Sequence, residues 1–134
     1  ASDAYQPDPA SAVHSFCHAV PQTWHQMGVI LAASDALSWF GRVLGAAPED
    51  MTSGLGPLQA PSATLFLPYL GGERTPHNDA VIRASFLNLD HSTDHVAMTR
   101  AVMEGVTYAV RDSFDALTST ATQLDRINRP SSLP

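Results

Sequence analysis

Between Thr93 and Leu117 the apolar residues Met98, Val102, Val106, Ala109, Val110, Phe114 and Leu117 recur at spacings of three and four, while Arg100, Glu104, Arg111 and Asp115 fall away from them. That period gathers the apolar set on one face of a long α-helix. An apolar face has to be covered, so the helix demands a sheet or other helices against which to lie. Thr93 or Asp94 offers the side-chain oxygen expected at its N-cap.

The residues ahead of this helix supply that cover. His14 to Val20 mixes aromatic and small residues in a strand-like stretch ended by Pro21. From Val29 to Leu44 the run is apolar on nearly every side, with Gly45 as a C-terminal cap, and reads as a buried helix. Ser34, Asp35, Ser38 and Arg42 form a polar stripe along it, 34, 38 and 42 being successive i, i+4 neighbours. Residues 46–61 hold Pro48, Pro57, Pro61 and a Gly-Leu-Gly run that resolves into no definite element. Ala63–Leu67 and Arg83–Leu89 are strand candidates, separated by the turn-rich, polar loop PYLGGERTPHND.

At 134 residues the chain can hold one domain or part of one. A hydrophobic share of 44% without an apolar run near the roughly 20 residues of a membrane span excludes a helical membrane protein. The net charge of −6, with all seven basic residues Arg and scattered along the chain, gives no basic stripe for nucleic acid. The lone Cys17 cannot close an internal disulfide, which fits a reducing, cytoplasmic setting. The opening ASDAYQPDPA lacks the basic and apolar regions of a signal peptide. His14 with His18 and His91 with His95 have the spacing that aligns imidazoles on a helix, but the first pair sits in a strand and His91 in a loop, so no metal site is expected.

Two long stretches, FCHAVPQTWHQMGVILAASDALSWF (16–40) and FLPYLGGERTPHND (66–79), resemble the xylulokinases of the FGGY carbohydrate kinase family. A third, from Ala84 to Glu104, is similar to that family's second signature through Ala84, Phe86, Leu89, Met98, Ala101, Val102, Met103 and Glu104. It departs at Asn88, where the pattern has Gly, and at Ala97, where it has a polar residue. The resemblance covers residues 11–117 and implies an α/β fold: part of a ribonuclease H-like, actin-like ATPase domain, a mixed sheet with packed helices. Residues 1–121 would then be a partial C-terminal nucleotide-binding domain and 122–134 a disordered or atypical tail. The phosphate loops, the catalytic Asp and the Gly-rich adenosine loop of such kinases are not found in this sequence, so no catalytic residue is assigned and the chain alone is expected to be inactive.

The resemblance also implies the ligands: ATP with Mg²⁺ and a ketopentose such as xylulose, with homodimerisation left open. By comparison with the related glycerol kinases, Ser34 and Ser38 occupy the nucleotide-facing positions at the start of the first helix. Gly72, Glu73, Arg74 and Thr75 are expected in a loop lining the active cleft. Each assignment has a structural counterpart, since helical Ser hydroxyls bond the carbonyl one turn back and a Glu-Arg pair can tie a loop to nearby backbone. A functional rival is a non-catalytic interaction or assembly module derived from a sugar kinase domain.

Overall fold

The computed structural model describes residues 1–120. In chain order its elements are β1 (His14–Cys17), β2 (Trp24–Met27), α1 (Ser34–Leu44), α2 (Pro48–Ser53), β3 (Leu65–Leu67), β4 (Ser85–Leu87) and α3 (His95–Ser119). The strands form two antiparallel pairs, β1 with β2 and β3 with β4. This is a part of an α/β domain in which helices lie on hairpin-scale sheets. The expected tail at 122–134 falls outside the described residues.

The first hairpin is shorter on one side and longer on the other than the sequence predicts. β1 stops at Cys17 because the chain turns back at once, the His18 amide donating to the Thr23 carbonyl at 3.0 Å. Its partner β2, with Cys17 opposite Trp24, is not legible in WHQM, whose His and Gln break an apolar alternation. Gln26 earns its place by reaching the Gln6 carbonyl and the Thr120 hydroxyl.

The core joins α1, β3, β4 and α3. Phe40 of α1, Phe66 of β3 and Phe86 of β4 meet in one aromatic cluster, with ring centroids 5.6 Å apart for Phe40–Phe86 and 4.6 Å for Phe66–Phe86. Ala36, Met51, Ala101 and Val102 close around them. Tilted rings at these separations gain aromatic attraction on top of the area they remove from water.

α3 begins where expected, the Asp94 carboxylate accepting from the Ala97 amide at 2.8 Å. Its buried face differs from the one the large apolar residues suggest. Thr99, Ala101, Val102, Gly105, Ala109, Ser113 and Ala116 are buried, whereas Val110 is 51% exposed. Small side chains let the helix axis approach β3 closely; a Cβ on Gly105 would collide with the Phe66 carbonyl. Nor do Arg100 and Glu104 simply face water. Arg100 donates to the Leu55 carbonyl at 2.7 Å, and Glu104 accepts from the Ser62 amide and hydroxyl at 3.2 and 3.3 Å.

Candidate functional site

The helix expected from Val29 starts instead at Ser34, and the cause lies in the GGERT loop. The Val29 amide donates to the Thr75 hydroxyl at 2.9 Å, the Thr75 amide returns a bond to the Val29 carbonyl at 2.9 Å, and the Leu31 amide donates to Glu73 Oε1 at 3.0 Å. With these groups tied to the loop, residues 29–33 form an irregular lead-in and α1 begins only at Ser34. Gly45 does end α1, in the left-handed conformation.

Two more contacts fix the loop. Glu73 Oε1 also accepts from the Arg74 amide at 2.8 Å, and the Thr75 hydroxyl donates to the Ala12 carbonyl at 3.1 Å. Glu73 and Thr75 are only 2% and 1% exposed, and Glu73 Oε2 is buried with no partner among the described residues. The loop closes on itself through paired backbone bonds between Glu73 and Asp79 at 2.8 and 2.9 Å. That closure requires Gly72, whose φ of +83° is costly for any residue with a Cβ and whose Cβ position lies 2.9 Å from Ala80 Cα.

Arg74 takes a separate course. It is exposed and lines a cavity of about 280 Å³ with Tyr5, His14, Ser15 and Asn78, beside the first hairpin. Among the described residues the ion pair that forms is Arg111 with Asp115 at 2.9 Å, so the Arg74 guanidinium stands uncompensated. Ser34 is exposed and Ser38 partly so; the Ser38 hydroxyl donates to the Ser34 carbonyl at 3.3 Å, the one-turn-back bond. The structure therefore links Glu73 and Thr75 to the segment leading into Ser34, and leaves Arg74 on another surface.

Some of the local chemistry was not legible in the sequence. The Tyr69 hydroxyl lies 2.9 Å from His77 Nε2, with the rings edge-on at 5.0 Å. Burial, then the nearby carboxylates of Asp112 and Glu73, push the Tyr69 phenol above its ordinary value of 10.0. Only proximity in the fold brings these four groups together. Among the described residues no group of three His, Cys, Asp or Glu side chains is placed to hold a metal, and no helix is long and apolar enough to cross a membrane.

Comparison with known proteins settles the family. The C-terminal domain of the FGGY family of carbohydrate kinases matches residues 4–128. The chain belongs to this family. FGGY relatives include the xylulose kinase of Escherichia coli K12, 41% identical over 118 residues that make up 87% of this chain and 24% of that protein. Among solved FGGY structures, a xyloylose kinase from Brucella ovis is 57% identical with a TM-score of 0.87, covering 90% of this chain and 26% of its own. Ligand-bound xylulose kinase from Lactobacillus acidophilus is 29% identical with a TM-score of 0.75, covering 87% of this chain and 24% of its own. The chain thus spans about a quarter of the length of the FGGY kinases it matches, and its fold is a part of their actin-like ATPase architecture.

Proposed function

We propose that this chain is the nucleotide-facing part of an ATP-dependent kinase whose full-length polypeptide phosphorylates D-xylulose to xylulose 5-phosphate. The observation that carries the reading is the 57% identity to the Brucella ovis enzyme, sustained over 90% of the chain at a TM-score of 0.87. ATP would bind as its Mg²⁺ complex, the ion held largely by nucleotide phosphates. Phosphoryl transfer rests on positioning and charge neutralisation by several elements together, of which this chain supplies α1 and the GGERT loop. The exposed side of α1 at Ser34 and Ser38 is the surface we assign to the nucleotide: small hydroxyl residues allow ribose or phosphate to approach closely and offer it hydrogen bonds. Arg74, exposed and without a charge partner among the described residues, is the loop residue suited to an anionic or hydroxyl-rich ligand, on the surface beside the first hairpin. A cytoplasmic location follows from the metabolic role and from the unpaired Cys17.

The test is ADP release by the full-length polypeptide with MgATP and a panel of D-xylulose, other ketopentoses, glycerol and gluconate. We expect kcat/KM for D-xylulose to exceed that for glycerol by about 100-fold or more, the discrimination open to a site that hydrogen-bonds its substrate hydroxyls. Preferred turnover of glycerol would overturn the sugar assignment, and absence of turnover with every sugar would favour a non-catalytic module.

A further inference from the structure

α1 carries no side-chain cap: Ala33 occupies the N-cap position, and only its backbone carbonyl bonds into the helix, accepting from the Ala36 amide at 3.2 Å. An uncapped helix start is normally free to fray, because its first amides lack partners. The start of α1 is nevertheless held, through the residues just before it, by a loop more than forty residues away in sequence. Thr75 grips Val29 from both its amide and its hydroxyl, and Glu73 grips Leu31, three residues ahead of Ser34. The same Thr75 hydroxyl donates to Ala12. One oxygen therefore joins the turn ahead of the first hairpin, the segment leading into α1 and the GGERT loop.

The chemistry chosen for this role is unusual. A carboxyl group that is 2% exposed, with Oε1 accepting two backbone amides and Oε2 unpartnered among the described residues, carries a desolvation cost that an apolar residue would avoid.

We propose that Glu73 and Thr75 are positioning residues for the nucleotide: they act through the backbone of Val29 and Leu31 to set the start of α1, rather than by touching sugar or ATP. The inference rests on the assignment of Ser34 and Ser38 to the nucleotide surface. It assigns the GERT motif two separable jobs, with the buried Glu73 and Thr75 holding α1 and Arg74 alone facing a ligand.

Steady-state kinetics on the full-length kinase separate these roles. Thr75→Val keeps the side-chain shape and removes the hydroxyl; Glu73→Ala removes the acceptor and leaves the Thr75 bonds in place. Each is expected to raise KM for ATP about tenfold, with KM for the sugar changed by about twofold or less. Thr75→Ser and Glu73→Gln, which retain an acceptor for the Val29 and Leu31 amides, are expected to recover most of that loss. General loosening of the domain would not produce such a split between the two substrates. If Thr75→Val fails to fold, Glu73→Ala carries the test with the same expectation. A rise confined to KM for the sugar, or folded variants with both KM values unchanged, would overturn the proposal. Ser38→Val, measured in parallel, separates the two layers. A raised ATP KM in Ser38→Val but not in Thr75→Val or Glu73→Ala leaves the nucleotide surface standing and removes the positioning role. Unchanged ATP KM in all three removes both.

Discussion

Tyr69 shows how a single residue can register its surroundings in the stability of the whole. Burial and the charges of Asp112 and Glu73 all favour its neutral phenol, so its folded value lies above the ordinary 10.0. A group raised in this way contributes stability that is whole below the unfolded value and is lost as pH climbs through the folded one. Replacing Tyr69 by Phe, which cannot ionise, is expected to leave a shallower fall in melting temperature above about pH 10 than the native residue gives, with little change in slope near neutrality. Equal alkaline slopes for the two proteins would show that Tyr69 does not sense these carboxylates. At the same scale the GERT motif was visible in the sequence as a loop of interest, but the opposite courses of its side chains were not. Glu73 and Thr75 turn inward because amides at Val29 and Leu31 need acceptors, and those amides lie 46 and 42 residues away.

At the scale of elements, what was legible was local. Asp94 caps α3 and Gly45 ends α1 because each acts on backbone within a turn of itself. α1 starts five residues later than its apolar run suggests for the opposite reason, since contacts from the distant GGERT loop engage Val29 and Leu31. The buried face of α3 is rotated from the one its large apolar residues suggest, because the helix packs through its small residues. Close approach to β3 selects Ala101, Gly105 and Ala109, and pushes Val110 outward. Two substitutions on this helix check that packing. Gly105→Ala, which drives a methyl into the Phe66 carbonyl, is expected to destabilise the domain by about 2–4 kcal/mol in denaturant unfolding despite the better helix propensity of Ala. Val110→Ala is expected to cost about 0.5 kcal/mol or less. Comparable losses would mean that the helix lies the other way round.

At the scale of the molecule, the chain is a quarter of the length of its relatives, and the contributions to a kinase site that we propose for it are one helix surface and one loop. Affinity for ATP in such a fold is shared among several loops, while the cost of immobilising the ligand falls on whichever contacts remain. Residues 1–134 alone are therefore expected to show no sugar-dependent ATP hydrolysis, and millimolar MgATP is expected to leave their melting temperature essentially unmoved, as binding weaker than about 1 mM would dictate. A clear shift at micromolar ATP would contradict this division of labour. The central claim is that the start of α1, held by Glu73 and Thr75, faces the nucleotide. Hydrogen–deuterium exchange across residues 31–38 of the full-length polypeptide addresses it most directly. MgADP alone should slow exchange there, with D-xylulose alone leaving it unchanged; protection brought by the sugar and not by the nucleotide would contradict the account.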